Sequence, residues 1–359
     1  MKIIYYMPLF LKEQAQRESN KKLLDFCELF KIVSPNASLI DRSNALETPF
    51  ETKILYGIPP KPEGPINLLY DEVCINRAKE ILKESKDIVI FYSGGLDSTV
   101  VVLSFWIAIQ NGIGNYNQIT IAASQHSIIE NPKFWNKIIL PYFKLTSANT
   151  ALDNINNPNT TVDRYVMGEN ADQLFGGGLL HHVMDFFDEE INEDNIEKMF
   201  IISKVNETAK PYLHRVLRNL VENATVPLNT MADLRWWLNF SCKWQSVALR
   251  TLCFTNFLDV ITHDSELKIF DTFFNTPDFQ ILSLFGNMPK WGSPPSRYNH
   301  KLASRLFIEK YIDLGNYTTT KIKVPSLYRI LVTGTYKYNA LGIEDNRIYR
   351  IQNIEINKE

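Results

Sequence analysis

The chain has 359 residues, 45% of them hydrophobic and 22% charged, with a formal net charge of -2. That is enough chain for about two domains and a sizeable core, and the near-neutral balance argues against the broad basic footprint of a nucleic-acid or anionic-membrane binder. Cys27, Cys74, Cys242 and Cys253 form no CxxC pair, which argues against a structural zinc, a redox dithiol or a disulfide framework and leaves four reduced, buried thiols.

In chain order, "MKIIYYMPLFLKEQ" is briefly apolar but contains Pro8 and lacks a small-residue cleavage site, so it reads as a strand rather than a signal peptide. The chain is therefore expected in the cytoplasm. A helix is predicted around "QRESNKKLLDFCELF". The connector "YGIPPKPEGPINLLY" carries four prolines, which resist regular structure, and a boundary is placed within it. Residues 1–69 are then a small extension, and 70–359 the main unit.

The stretch "YDEVCINRAKEILKES" puts Val73, Ala78, Ile81 and Leu82 on one side of a helix. It is followed by "DIVIFY", a glycine loop, and a helix expected from Ser98 or Thr99 to about Gln110. The apolar run in that helix, "TVVVLSFWIAI", is too short to span a bilayer. "ITIAAS" and "RYVMG" are two further apolar runs. Such runs with helices between them indicate strands buried on both faces of a parallel sheet. From about residue 184 the pattern is mainly helical. The expected architecture is α/β, a parallel-sheet domain with a mainly helical C-terminal portion.

The loop "FYSGGLDST" should sit at the carboxyl end of a parallel strand, where open α/β sheets bind ligands. The helix after it offers free N–H groups and a positive dipole end, and Gly94 and Gly95 let the backbone approach oxygen atoms closely. Ser93, Ser98 and Thr99 add hydroxyls. No GK[ST] follows, so this is not the P-loop of kinases and GTPases. Asp97 is out of place beside bare phosphate, but not beside magnesium, which takes carboxylate and phosphate oxygens together. A helix cap in a tight turn uses the same residue types, although not in this order directly after a buried strand.

The stretch resembles the SGGxDS signature of the PP-loop ATP pyrophosphatase superfamily, whose members cleave ATP between its α and β phosphates and adenylate a substrate. NAD synthetases, GMP synthetases, tRNA-modifying enzymes, 7-cyano-7-deazaguanine synthases and asparagine synthetases carry versions of it. A second loop, "YVMGENADQLFGGG", brings Glu169 and Asp172 to a strand end three residues apart. It resembles the GEGxDExFGGY segment of the asparagine synthetase and β-lactam synthetase family, matched by Gly168, Glu169, Ala171, Asp172, Phe175, Gly176 and Gly177. Asn170 stands where the family has glycine, Gln173 where it has glutamate, and Gly178 where tyrosine is common. One βα crossover is expected between the two loops.

A third segment, "RYNHKLASRLF", would place Lys301 and Arg305 on one helix face. It is similar to the family segment whose lysine stabilises the departing pyrophosphate. "VITHDSELKIFDTFFN" loosely resembles the family stretch that shapes the acceptor region, and it departs from that stretch in most positions.

The resemblance, from about Tyr70 to Arg329, implies an adenine nucleotide alpha hydrolase-like sheet and an ATP- and Mg²⁺-dependent, AMP-forming carbon–nitrogen ligase. It implies that Ser93, Gly94, Gly95, Asp97, Ser98, Thr99 and Gly168 bind the nucleotide and that Asp97 and Asp172 hold magnesium. Glu169 and Lys301 are then catalytic. No glutaminase domain is expected in 69 residues that begin Met1-Lys2, so ammonia or an amine would attack a small-molecule carboxylic acid once adenylated. Two alternatives stay open: a PP-loop enzyme acting on a nucleobase, and a nucleotide-binding protein without turnover. "HHVMD" (with His181, His182 and Asp185) reads as a solvated helix start, Trp237, Phe240 and Trp244 as a buried stripe, and "TTTKIKVPSLYRI" as an exposed loop and strand.

Overall fold

The computed structural model describes residues 1–155, 157, 161–176, 183–254, 262–290, 300–320 and 339–357. Strand β1 (Lys2–Tyr6) leads to α1 (Pro8–Arg17) and α2 (Lys21–Ile32). One helix was expected over residues 16–30. Ser19 breaks it with a φ of 51°, and Asn20 caps α2 by accepting from Leu23 N at 3.0 Å. Helix α3 (Tyr70–Glu84), β2 (Ile88–Tyr92) and α4 (Leu96–Gln110) follow the proline-rich connector. Next come β3 (Ile119–Ala123), β4 (Lys144–Ser147) and β5 (Arg164–Met167). A helical stretch (Glu193–Ile202, Lys210–Glu222, Met231–Cys242 and Trp244–Arg250) precedes β6 (Phe270–Thr272). Helices Pro277–Phe285 and Leu302–Tyr311 follow, then the hairpin of β7 (Ala340–Glu344) and β8 (Arg347–Arg350).

Five strands form one parallel sheet in the order β4-β3-β2-β5-β6. All five residues of β2 are buried, as expected of a central strand covered on both faces. Helix α4 is apolar on every side and buries Val100, Val101, Val102, Leu103 and Phe105 completely. Burying a side chain of that size contributes about 1.5–3 kcal/mol, so α4 is anchored by packing, not by a single amphipathic stripe. The chain steps outward from β2 through β3 to β4, then returns to β5 on the other side of β2. The topological switch point therefore lies between β2 and β5, where ligands bind in open α/β sheets. Two strands, not the one crossover expected, separate the two glycine-containing loops. Edge strand β4, "KLTS", is mostly exposed and has no apolar run to announce it.

The ends of the chain form a second, antiparallel sheet in the order β1-β7-β8, with Ile3 opposite Gly342 and Tyr6 opposite Ala340. Gln14 closes the join by donating to Ile354 O at 2.7 Å and accepting from Ile354 N at 3.1 Å. Phe26, Phe30 and Phe50 share one core with Leu213, Leu217 and Leu238 of the helical portion. The first 69 residues thus complete that portion's hydrophobic core. Trp237, Phe240 and Trp244 are fully buried in the other large core, with Ile90, Val100 and Phe175 of the parallel-sheet unit, and the Arg42 guanidinium lies 4.6 Å from the Phe240 ring and 4.3 Å from that of Trp244.

All four cysteines are free and buried. Among the described residues no helix is long and apolar enough to cross a membrane.

Candidate active site

The first loop leaves β2 at Tyr92 and enters α4 at Leu96, two or three residues earlier than expected. Gly95 is the helix cap, and among the described residues no side chain takes up the N–H groups of the first turn, which leaves an anion-binding end. The loop braces itself. Ser93 N donates to Ser98 Oγ at 3.2 Å, the two serine Oγ atoms are 3.0 Å apart, and Gly95 N donates to Ser93 Oγ at 3.3 Å. Gly94 has a φ of 78°, and a Cβ there would lie 2.4 Å from Ser127 O, so only glycine fits.

Ser98 and Thr99 are both buried. Thr99 Oγ1 lies 3.2 Å from Tyr317 Oη, which donates to Gly94 O at 2.8 Å. These hydroxyls hold the loop in shape.

The second loop leaves β5 at Met167. A Cβ on Gly168 would meet Ser98 N at 3.1 Å and the Asp97 carbonyl carbon at 3.2 Å, so the two loops pack backbone against backbone. Asn170 has a φ of 67° and donates from Nδ2 to Trp244 O at 3.0 Å. Its place in the left-handed region explains why asparagine can stand where the resemblance has glycine. The short helix Ala171–Phe175 begins there, and Asn239 Nδ2 holds Asp172 O at 2.8 Å. Gln173 is buried, with Nε2 3.3 Å from Asn239 Oδ1. Gly177 and Gly178 lie outside the described residues, as do His181, His182, Arg297 and most of "TTTKIKVPSLYRI".

Lys301 joins the loops. Its Nζ lies 2.5 Å from Asp97 Oδ2 and 2.6 Å from Asp172 Oδ1. The lysine is buried, whereas the Asp172 side chain is 51% exposed. Burial alone would raise the Asp172 carboxyl, yet the Lys301 ammonium holds it well below the usual carboxylate range. Lys301 is pushed up in turn by both aspartates, against its own burial.

The expectation that Lys301 and Arg305 share a helix face is not met. The helix starts at Leu302, and Lys301 precedes it with a φ of 58°. Arg305 turns its Nε back to His300 O at 2.9 Å. Left-handed backbone at a lysine costs about 1–2 kcal/mol and persists where the surroundings demand it. Here it aims the ammonium at two carboxylates.

Glu169 takes a different cation, with its Oε2 2.5 Å from Arg250 Nη2. Arg250 and Lys243, both near this loop in space, went unnoticed in the sequence. They lie more than 70 positions downstream in a helical stretch, and no local spacing marks them.

The resemblance implies magnesium, and the residues present fit it. Oδ1 of Asp97 is buried and has no hydrogen-bond partner among the described residues, so a carboxylate oxygen has a free coordination position beside a second carboxylate. Among the described residues no three His, Cys, Asp or Glu side chains are grouped to hold a metal. A cation here would draw its other ligands from phosphate and water, as magnesium commonly does. A separate cleft of about 580 Å³ lies along β6, lined by Tyr56, Arg77, Arg164 and Asp271 among others. Its two arginines share Asp271, and Arg77 also pairs with Glu80 and Arg164 with Glu84, so they hold no spare charge for an anion.

No family model matches the chain, and no curated protein matches it in sequence.

Proposed function

We propose that the chain is an asparagine synthetase-like, AMP-forming carbon–nitrogen ligase. A carboxylate oxygen of a small acid attacks the α-phosphorus of ATP, the bond to the β-phosphate oxygen breaks, and pyrophosphate leaves. The nitrogen of ammonia or an amine then attacks the acyl carbon, the bond to AMP breaks, and an amide forms. The first turn of α4 and the backbone of residues 93–98 cradle the phosphates. Lys301 offsets charge on the departing diphosphate by preorganised electrostatics. Glu169, held by Arg250, orients the nucleophile and receives its proton. Magnesium would be held by Asp97 and Asp172 and would neutralise charge on the diphosphate.

One observation carries this reading. Carboxylates from two strand ends flanking the switch point lie within 2.6 Å of one buried ammonium. An open helix N-terminus stands directly behind them. Gln173, where the resemblance has a carboxylate, is buried against Asn239, so its neutrality leaves these two acids in place. The four unpaired buried cysteines are compatible with a reducing compartment, and we place the reaction in the cytoplasm.

The test is exchange of labelled pyrophosphate into ATP, screened over a panel of carboxylic acids that starts with aspartate. Acid-dependent exchange is expected. ATP binding without exchange for any acid would instead favour a nucleotide-binding protein without turnover.

A further inference from the structure

One cation beside the second loop has no part in the chemistry described above. Lys243 sits at the elbow between helices Met231–Cys242 and Trp244–Arg250. That elbow is fastened to the second loop at three points: Asn239 to Asp172 O, Asn170 to Trp244 O, and Arg250 to Glu169. The Lys243 side chain is half-buried, and its ammonium makes no hydrogen bond or ion pair among the described residues. The charged groups facing it are Arg250, Asp172, Glu169 and Arg235.

Its cationic neighbours have partners. Lys301 holds the two aspartates, Arg250 holds Glu169, and Arg235 donates to Ile32 O. Burial, and next the Arg250 guanidinium, push Lys243 down to about 8 despite the pull of the two acids. A desolvated ammonium without a partner is costly, and an anionic ligand would relieve that cost.

We propose that Lys243 contacts the α-phosphoryl group of the nucleotide and stabilises it as the acid attacks, while Lys301 serves the departing diphosphate. The inference rests on the ligase reading above. Position argues for it: Lys301 pairs with Asp97 and Asp172, whereas Lys243 faces Asp172 and Glu169. Asp172 is common to both, so Lys243 stands one step from the diphosphate end toward the acyl end, and the α-phosphorus links those ends. Negative charge on its non-bridging oxygens grows in the transition state, and a cation already in place needs no reorganisation there. The role requires the charged lysine. Activity should therefore fall as pH rises through its pKa, first in kcat/KM, which reports the free enzyme.

The experiment measures pyrophosphate–ATP exchange and Mg·ATP binding for the wild type, Lys243→Met and Lys243→Arg, with circular dichroism as the fold control. Lys243→Met should lose about 10²-fold or more in exchange rate at neutral pH while ATP affinity changes far less. Lys243→Arg should keep measurable exchange and lose the alkaline fall in kcat/KM that begins near about 8 in the wild type, because a guanidinium stays charged. Exchange by Lys243→Met within about threefold of wild type, or an alkaline fall that persists unchanged in Lys243→Arg, would overturn the assignment. A wild-type chain that catalyses no exchange with any acid would overturn the ligase reading itself, before any variant is compared.

Discussion

The loops after β2 and β5 meet at one point but are built on opposite plans. The first largely supports itself: Ser93, Gly95 and Ser98 bond within a few residues, with Tyr317 on Gly94 O, Asn131 on Thr99 and Lys301 on Asp97 as its braces from a distance. The second is held almost entirely from outside, by Asn239, Trp244, Arg250 and Lys301. A phosphate cradle made of backbone N–H groups can be written into one short segment, because glycines and a helix start suffice. Aiming a carboxylate takes long side chains from other elements. The first loop therefore resembles a motif as it stands, while the second acquires its chemistry from partners far along the chain.

The variant that cuts deepest into this contrast is Asp97→Ala. It removes the one carboxylate of the self-contained loop and should lower AMP formation by about 10³-fold or more while circular dichroism stays native. Turnover that survived would separate the cradle from the chemistry.

Next in size is Gly168→Ala, which adds a methyl group where the loops touch at 3.1 and 3.2 Å, both times against backbone. Displacing the loops by a fraction of an ångström should cost about 10²-fold in exchange rate. Unchanged exchange would mean that the close approach of the loops has no role in catalysis.

Asn170 sharpens the comparison on the stability side. Asn170→Ala should destabilise by about 1–2 kcal/mol, since alanine resists the left-handed region. Asn170→Gly should cost less, losing chiefly the bond to Trp244 O. Denaturant melts would measure both, and equal losses would contradict the backbone explanation.

The smallest effect concerns pH. The folded-state pKa of Asp172 is depressed, so its pairing with Lys301 stabilises the fold above the unfolded carboxylate pKa, about 3.9, and is lost as pH falls below that toward the folded value. Lys301 is raised, so its share is intact below about 10.4 and is lost only as pH climbs through the folded value. Because Asp172 is 51% exposed, the acid-side loss should be only about 1 kcal/mol. It should shrink in Asp172→Asn when melting is followed through the acid range.

Legibility follows the same division. Strands β2, β3 and β5 and helices α3 and α4 were readable because burial on both faces, or on one helical side, leaves its mark in consecutive residues. Strand β4 lacks an apolar run, and β6 is three residues long, so neither has a pattern to find. The pairing of β1 with β7 joins residues more than 330 positions apart, beyond the reach of any local period. At the site, Ser93 to Thr99, Gly168, Glu169, Asp172 and Lys301 were named from motifs. That Lys301 would approach on left-handed backbone, that Ser98 and Thr99 would turn inward, and that Arg250 would hold Glu169 are all outcomes of tertiary packing.

The central claim is that positions 97 and 172 serve one divalent ion together with the nucleotide. Manganese substituted for magnesium, followed by electron paramagnetic resonance during ATP titration, tests it most directly in the wild type, Asp97→Asn and Asp172→Asn. The account predicts a single nucleotide-dependent manganese site, weakened by either substitution. Two independent sites, each abolished by only one substitution, or full affinity in both variants, would contradict it.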